Sequence, residues 1–430
     1  MKIGIIGCGA TGLSAGYTLS QKGHETVLYD TSESELGGIA GAVPIGRTYI
    51  DKFYRHIFTS DAEILSLIQE AGLNSEMMWI EPKNGMYIDG KLYPFTNPID
   101  LIMFPAVGFI SRIRMGLAVL SAKYVTDYKA MEGITAKEWL VKKAGKQSYD
   151  KIWSTLLHSK FDKDSDKVSG VWIWNKFKLR GSTRQNLNKE SLGYLRGGFF
   201  QLYKKLAEII KGNGGRFVFE SVARISPEAD GKIGIETARG YEVYDKVLFT
   251  AAADLLVQLC NFPNEYLEKV SKIKHKSNIC MTLVADRQIS DFYWVTIAER
   301  DSPFVLYIEH TNLVKDEAYD GKHIIYLSRY IDSSDPFFSA SDEEIKRVFL
   351  SYLPKLFPGF SPKDASSWHI FRSVHSQPVV GLRYSDDVLP QETPIANLHL
   401  ASMAQIYPED RGQNYAVAKG ISAAKKMIGE

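Results

Sequence analysis

The first thirty residues combine a glycine turn with an acidic residue at the spacing of a dinucleotide-phosphate site. The turn has the pattern G-x-G-x-x-G from Gly7 to Gly12, and Asp30 lies 18 residues beyond it. The first glycine permits a tight bend, the second lets a pyrophosphate approach the backbone, and the third lets a helix pack on a strand. An acid at this distance can accept hydrogen bonds from a ribose. The residues predicted to hold the dinucleotide are Gly7, Gly9, Ala10, Thr11, Gly12 and Asp30.

The elements that must position these residues are also present in the sequence. An apolar run, Lys2–Ile6, predicts a buried parallel strand before the glycine turn. A helical pattern follows the turn and ends near Gly23, and a second apolar run leads to Asp30. A secretory signal peptide, the alternative interpretation of this stretch, would lack the second strand with its acidic end. The order strand, helix, strand therefore favours a phosphate-binding unit.

Further motifs extend this pattern through the chain. A second glycine pair, Gly37-Gly38, follows Asp30, and residues 194–225 contain another glycine pair, a helix and a strand. Residues 241–253 form a candidate returning strand, and residues 398–427 end in a predicted helix. With these motifs the chain resembles the flavin-dependent group that contains amine oxidases, protoporphyrinogen oxidase, phytoene desaturases and UDP-galactopyranose mutase.

The resemblance implies FAD as the cofactor. It places the second glycine turn near the second phosphate, Val222 beside the adenine, and the start of the last helix near the ribityl chain and the carbonyl edge of the ring. Two positions depart from the usual pattern: Ile39 stands where an arginine is common, and Met403 lies in a segment that usually carries a glycine and an acid. The additional cofactor residues implied are Gly37, Gly38, Ile39, Ala40, Val222, Met403, Arg411, Gly412, Gln413 and Asn414.

The same resemblance implies an α/β fold with a glutathione-reductase-type Rossmann FAD-binding domain. Residues 1–60, 194–260 and 390–430 would assemble this domain from separated segments. An inserted α+β substrate domain would comprise a helical part, residues 61–193, and a sheet-rich part, residues 261–389.

Local patterns predict the elements of the inserted region. Helices are expected after a capping Asp61 and over residues 135–145, and a hairpin is expected to turn at Asp89-Gly90. Strands dominate from about Lys276 to Arg329, and a helix follows from Ser341.

A histidine is the first candidate for chemistry near the flavin. His56 lies in the run His56-Ile57-Phe58, and a similar run passes the flavin face in UDP-galactopyranose mutase. A histidine at that place could stabilise a reduced flavin anion or move a proton. The alternative is a histidine bonded to the backbone of a buried loop.

Three further groups of residues have two interpretations each. Arg180 and Arg184 lie in a basic segment rich in aromatics, which could grip a phosphate or carboxylate of the substrate or form a solvated face. His375 and Gln377 could face the substrate or pack within a loop. Tyr407 matches a tyrosine of the mutase flavin segment, and a core aromatic is the alternative.

Together these features favour an FAD-dependent oxidoreductase resembling protoporphyrinogen oxidase, which takes hydride from a small-molecule substrate onto flavin N5. No second G-x-G-x-x-G unit is present, so no NAD(P)H domain is expected. An amine oxidase is disfavoured because the strand expected to carry a flavin-facing lysine has none, and Lys276 is expected just before it. The alternative is a UDP-galactopyranose mutase-like isomerase acting on a nucleotide sugar, although Met403 stands where the mutase has an arginine.

Composition excludes several other classes. The net charge of +2, without a basic run, argues against a nucleic-acid partner, and the nine scattered histidines argue against a metal site. Three isolated cysteines are expected to be buried thiols of a cytoplasmic protein. The apolar stretch Ile99–Leu120 is interrupted by Pro105, Arg112 and Arg114. It predicts either a pair of core helices or a monotopic surface at the inner face of a membrane, with the arginines near headgroups.

Overall fold

Two β-sheets, each formed from distant parts of the chain, organise the fold. The computed structural model describes residues 1–182, 184–186 and 189–430. The first sheet has five strands, all parallel. With strands numbered in chain order, the spatial order is β12 (Arg216–Phe219), β2 (Glu25–Asp30), β1 (Lys2–Ile6), β16 (Lys246–Phe249) and β22 (Leu398–Leu400).

Both faces of the parallel sheet are covered, which explains why β1 is apolar at nearly every position. Ile3 and Ile5 point into a core shared with helices, whereas Ile6 points into a core shared with a small antiparallel sheet. The helices on this side are α1 (Ala10–Gln21), α2 (Ala62–Glu70), α9 (Phe200–Gly212) and α13 (Gln413–Met427). The small sheet consists of β13 (Val222–Pro227), β14 (Ile233–Thr237) and β15 (Gly240–Tyr244).

The second sheet has seven strands and confirms the strand-rich prediction for its region. Its pairs are antiparallel except for the parallel pair β7–β18. The spatial order is β21 (Ala365–Pro378), β17 (His275–Ala285), β20 (His323–Ile331), β19 (Leu306–Glu309), β18 (Trp294–Ile297), β7 (Asn84–Ile88) and β8 (Lys91–Pro94). Helix α12 (Asp342–Leu356) packs on one face of this sheet, and the other face contacts the core beside the parallel sheet.

Most remaining helices form a separate layer. They are α3 (Pro98–Met103), α4 (Phe109–Ala122), α5 (Ala136–Ala144), α6 (Lys146–Ser148), α7 (Ser154–Phe161) and α8 (Gly170–Ser182), with α10 (Ala253–Leu259) and α11 (Asn264–Lys272) elsewhere. The remaining strands are β3 (Ala42–Ile45), β4 (Thr48–Asp51), β5 (Ile57–Phe58), β6 (Met77–Ile80), β9 (Arg184–Asn186), β10 (Lys189–Glu190) and β11 (Leu192–Leu195). No helix within the described ranges is long and apolar enough to cross a membrane.

Several local predictions can be compared directly with the structure. The hairpin turn is confirmed, with φ of +51° at Asp89 and +72° at Gly90. The helix after Ser341 is confirmed, and the Ser341 hydroxyl accepts the Glu344 amide at 3.2 Å. The capping role of Asp61 is wrong, because its carboxylate instead accepts the amide of Phe58 at 2.9 Å. All three cysteines are buried, as predicted.

Lys276 is also placed differently from the prediction. It lies inside β17 rather than before it, and its side chain is fully buried. Its ammonium contacts Asp332 at 2.6 Å and Asp164 at 2.9 Å. Asp332 also pairs with Lys163 at 2.7 Å. The cluster therefore ties the turn after α7 to the second sheet.

Removing this buried ammonium should destabilise the fold. We expect Lys276→Met to lower the free energy of unfolding by about 3–5 kcal/mol at pH 7, since it leaves two partly buried carboxylates without their shared cation. Lys272→Met, at a half-exposed surface lysine, should change it by less than about 0.5 kcal/mol. Urea unfolding followed by tryptophan fluorescence measures both values.

The same variant should show a specific pH dependence. Burial raises the pKa of Asp164 and Asp332, but lysine partners outweigh it and hold each pKa below its ordinary value. The stability from these carboxylates is therefore present above about pH 4 and is lost as pH falls through the lowered pKa values. The gap between wild type and Lys276→Met should narrow below pH 4. A gap that does not depend on pH would contradict the assignment.

Candidate functional site

The first glycine turn is packed so tightly that only glycine fits at two of its positions. Gly7 has φ of +108°, and a Cβ there would lie 2.4 Å from Thr250 Oγ1. A Cβ on Gly12 would lie 1.8 Å from the carbonyl oxygen of Gly7. Gly12 therefore allows α1 to start directly against the turn.

Gly9 lies in different surroundings. A Cβ added there would meet only the Gly37 carbonyl oxygen, at 3.8 Å, so the other side of Gly9 is open. Gly9 is the N-cap of α1, and Leu13 donates its amide to the Gly9 carbonyl at 2.9 Å. The first amides of the helix, those of Ala10 and Thr11, have no carbonyl partner within it. An open backbone position beside free helix amides is suited to a phosphate.

The second glycine pair contacts the first turn directly. Gly37 donates its amide to the Cys8 carbonyl at 2.8 Å, and Gly9 and Gly37 form a parallel bridge. Gly38 has φ of +57°, and a Cβ there would lie 3.4 Å from the Gly9 Cα. We call the two contacting turns, residues 7–12 and 37–40, the glycine platform. Ala40 is buried and closes the second turn by donating its amide to Gly37 at 2.8 Å.

Two side chains border the glycine platform. The Asp30 carboxylate accepts the Cys8 amide at 2.6 Å and the Thr31 amide at 2.8 Å, so it is held at the end of β2. Burial, together with the Asp30 charge, raises the pKa of the Cys8 thiol and keeps it neutral. Arg55 donates to the Ile39 carbonyl at 2.5 Å, so a guanidinium reaches this turn from another segment.

The predicted C-terminal cofactor residues occupy the start of α13. Gly412 is exposed and is the N-cap, and Gln413 donates to the Tyr203 hydroxyl at 2.7 Å. The Gln413 amide oxygen is buried without a hydrogen-bond partner among the residues that the structure describes. Asn414 differs, because its side chain accepts the Ile64 amide at 2.9 Å and donates to Glu63 at 2.8 Å. It anchors α2 to α13.

A charged cluster lies immediately before α13. Asp410 is buried, and its carboxylate contacts the ammoniums of Lys176 and, at 3.9 Å, Lys160. Arg411 donates to the Tyr330 hydroxyl at 2.6 Å. We call Lys160, Lys176, Asp410 and Arg411 the charged cluster. Burial raises the pKa of Asp410, but the surrounding cations outweigh it and hold the pKa well below its ordinary value.

Gln377, predicted as a substrate contact, lies beneath this cluster. It is fully buried, donates to Asp410 at 3.0 Å and accepts from Arg411 at 3.0 Å. The structure therefore brings Gln377 and Arg411 together and gives Gln377 an orienting position. His375 lies apart from them, since its ring pairs with Asp254 at 2.8 Å.

His56 and Tyr407 have side-chain partners. His56 Nδ1 lies 3.1 Å from the Tyr293 hydroxyl, and its ring contacts Trp294. Trp294 packs on Tyr54, whose hydroxyl lies 3.2 Å from that of Tyr330, so an aromatic path connects His56 with the charged cluster.

Tyr407 donates to Glu132 at 2.6 Å and packs among aromatics of the helical layer. Val222 begins β13 and packs beside the edge of the parallel sheet. Met403 begins a short turn after β22 and is half-buried. The side chains of Arg180 and Arg184 lie outside the described part of the structure.

The charged cluster as a unit was not predicted from the sequence. Asp410 and Arg411 stand directly before the last helix, and Trp172 and Lys176 are four residues apart on α8, which places them on one helical face. Adjacent acidic and basic residues directly before the helix predicted to face the flavin could have indicated this cluster. Nothing in the local patterns links Lys160 to these residues.

Comparisons with known proteins agree with this geometry. The model of the flavin-containing amine oxidoreductase family matches residues 10–428. The chain belongs to this family. The predicted family, the predicted enzyme class and the FAD cofactor are thereby confirmed.

The similar proteins have several activities. An enzyme of Synechococcus elongatus assigned as a zeta-carotene desaturase is 21% identical over 499 residues, covering 100% of this chain and 98% of that protein. A protein of Exiguobacterium sp. 255-15 assigned as a protoporphyrinogen oxidase has a crystal structure with a TM-score of 0.79 at 17% identity, covering 100% and 99% of the two chains. Reduced UDP-galactopyranose mutase gives 0.77 at 16% identity, covering 100% and 95%. The fold is thus the mixed α/β fold of this family.

Substitutions in the first turn should separate cofactor binding from folding. We expect Gly9→Ala to fold normally and to bind FAD at least about tenfold more weakly, because its methyl group would occupy the open side of the turn. Gly12→Ala should fold poorly, since its Cβ overlaps a backbone oxygen. Gly212→Ala, where a Cβ has open space, is the control. Thermal unfolding of apo-protein and FAD titration measure both effects, and a Gly9→Ala protein with wild-type FAD affinity would contradict this interpretation.

Proposed function

We propose that the protein is an FAD-dependent oxidoreductase resembling protoporphyrinogen oxidase, in which bound flavin accepts a hydride at N5 from a small-molecule substrate. One observation carries the proposal: the exposed N-cap Gly412 directly follows the charged cluster, whose Arg411 donates to Tyr330 at the end of the aromatic path to His56. The helix terminus proposed to face the cofactor therefore adjoins a wall of charged and aromatic side chains. Flavin supplies the redox chemistry, while the protein binds and orients the substrate.

The proposed cofactor site follows from the glycine platform. The amides of Ala10 and Thr11 would hold the pyrophosphate, Asp30 the ribose, and Val222 the adenine. The turn at residues 37–40 lies close enough to Gly9 to border the same phosphates. The buried amide oxygen of Gln413, which has no hydrogen-bond partner in the described part of the chain, fits a donor of the ribityl chain or the flavin ring. These features support the fit of FAD.

The domain assignment is part of the same proposal. Residues 1–60, 194–260 and 390–430 would form a glutathione-reductase-type Rossmann FAD-binding domain around the parallel sheet. Residues 61–193 and 261–389 would form the substrate domain. The seven-stranded sheet and the helical layer then supply the substrate side, where Tyr330 and Lys160 meet.

Three aromatic side chains have a distinct part in this proposal. Tyr54, Trp294 and Tyr330 form a continuous wall between His56 and Arg411. Such a wall excludes water from the reacting carbon and presents flat apolar surface to a ring-containing substrate. His56 is held by Tyr293, and this contact supports the proposal that His56 holds or moves a proton.

The proposal is tested by the source of electrons. We expect the anaerobic protein with bound FAD to remain yellow with NADPH, because the sequence contains no second dinucleotide unit. We expect the flavin to bleach with protoporphyrinogen IX, because the proposed substrate is the source of electrons. The visible spectrum near the flavin band follows both reactions. Flavin that NADPH bleaches and protoporphyrinogen IX does not would contradict the proposal.

The alternative function is isomerisation of a nucleotide sugar without net redox change. The run containing His56 and the full-length structural similarity to UDP-galactopyranose mutase favour it. Tyr407, which was assigned to this alternative, has its hydroxyl bonded to Glu132. Co-purified nucleotide sugar, or conversion of UDP-galactopyranose only after reduction of the flavin, would select this function.

We also propose that α3 and α4 touch one leaflet of a membrane. Only one face of α4, which includes Met115 and Ala118, is buried. The prediction of core helices therefore explains this face and not the exposed one. Lys142 and Lys143 are exposed, and Lys143 borders the apolar surface beside Leu117 and Leu120. Arg114 is exposed and donates to the Lys142 carbonyl at 2.7 Å. Large exposed apolar patches mark interaction sites. The exposed side chains are Ile99, Ile102, Met103, Phe109, Ile110, Ile113, Leu117, Leu120 and Tyr124.

Vesicle flotation tests this contact. We expect wild type to bind vesicles containing phosphatidylglycerol, and Ile110→Ser with Leu117→Ser to bind about tenfold or more weakly, because each lost side chain removes about 1.5 kcal/mol or more of burial. Leu267→Ser, at a partly exposed leucine outside the patch, should bind like wild type. Wild-type protein that stays in the soluble fraction at every lipid concentration would contradict the proposal.

A further inference from the structure

The charged cluster contains more positive charge than its own carboxylate neutralises. Lys160, Lys176 and Arg411 converge on the single acid Asp410. No carboxylate within the described ranges forms an ion pair with Arg411. The neighbouring acids Asp164 and Asp332 are not available either, because other lysines hold them.

Asp410 is itself fully engaged. Its carboxylate contacts Lys176 and accepts from Trp172 Nε1 and Gln377 Nε2, both at 3.0 Å. Its side chain is 4% exposed. Further neutralisation of the cluster therefore has to come from a group outside the described protein.

The two lysines reach solvent from this buried position. Lys160 is 19% exposed and Lys176 is 36% exposed. The Lys160 ammonium lies over the rings of Trp172 and Tyr330, at 4.9 and 5.3 Å from their centroids. Burial and the neighbouring Lys176 and Arg411 hold the pKa of Lys160 below its ordinary value, against the opposing effect of Asp410. The two rings stabilise the Lys160 ammonium. The crowding of three cations around one carboxylate disfavours a further cation and favours an anion.

We infer that Lys160, Lys176 and Arg411 bind an oxyanion of the substrate, a carboxylate or a phosphate, while Trp172 and Tyr330 border its apolar body. This inference rests on the proposed function, since it places the anion beside the residue that precedes the flavin-facing helix terminus. The inferred substrate is therefore an anion, although the family model is described as an amine oxidoreductase.

The chemistry of the cluster accounts for this selectivity. Charge-assisted hydrogen bonds from ammonium and guanidinium groups to an oxyanion are stronger than neutral ones. A cationic amine entering the same place would meet two partly exposed lysines and a guanidinium, which repel it. The aromatic wall adds contact area for a flat substrate without changing the charge preference.

The test compares two ligands with the same ring that differ at their carboxyl groups. Protoporphyrin IX has two carboxylates, and its dimethyl ester has none. With the FAD-loaded enzyme, we expect the acid to bind more tightly than the ester, as measured by perturbation of the flavin spectrum. Lys160→Met should weaken binding of the acid by about tenfold or more and leave that of the ester unchanged, because it removes one charge-assisted contact.

Matched variants exclude a general structural effect. Lys178→Met, on the same helix as Lys176 but with its ammonium over Trp174, should bind both ligands like wild type. Lys160→Arg should restore binding of the acid. FAD content and the thermal midpoint of each variant show that it is folded. UDP, used as a third probe, distinguishes the source of the oxyanion: UDP binding that Lys160→Met weakens, without binding of the acid, would assign a phosphate.

Equal affinity of the acid and the ester, unchanged binding of the anionic probes by Lys160→Met, or no binding of any probe would overturn the inference. These outcomes are distinguishable from failure of the proposed function. An enzyme that lacks flavin, or whose flavin only NADPH reduces, contradicts the proposed function. An enzyme with bound, substrate-reducible FAD but no preference for an anion contradicts this inference alone.

Discussion

The contact between the two glycine turns is the constraint on which the rest of the site depends. Gly37 donates to the Cys8 carbonyl at 2.8 Å, and Gly38 lies so close to Gly9 that a Cβ would approach its Cα to 3.4 Å. Side chains at Gly37 and Gly38 would be strained, because φ is +88° and +57° at these positions. Their absence lets two stretches of backbone, with their amides, border one volume at the start of α1. The parallel sheet holds this arrangement, because β1 and β2 end beside the same turns.

The charged cluster joins the two sheets at the other end of the proposed cofactor. Gln377 lies in β21 of the second sheet, whereas Arg411 precedes α13, which packs beside the first sheet. Their hydrogen bond, at 3.0 Å, therefore links the substrate side to the cofactor side. Tyr330 contributes a second link through Arg411. A substrate bound here would therefore lie next to residues of both the substrate side and the cofactor side.

The sequence was most informative where function depends on residues close together in the chain. The turn from Gly7 to Gly12 and the acid at Asp30 are a local pattern, and the strand, helix and strand around them occur as predicted. Lys160 and Asp410 are 250 residues apart, and only tertiary packing brings them together. Asp61 illustrates a different limit. Its carboxylate could accept an amide of the following helix, as predicted, or the amide of Phe58, as observed. Local patterns cannot decide between such partners.

We propose that the glycine platform holds the pyrophosphate and the adenosine of FAD. Titration of the flavin-free protein with FAD and with FMN, which keeps one phosphate but lacks the adenosine monophosphate half, tests this proposal. We expect one FAD per chain, bound at least about 100-fold more tightly than FMN, since the contacts to the second phosphate and to the adenosine ribose are lost with FMN. Equal affinity for the two flavins would show that the glycine platform does not recognise the adenosine half and would contradict the proposal.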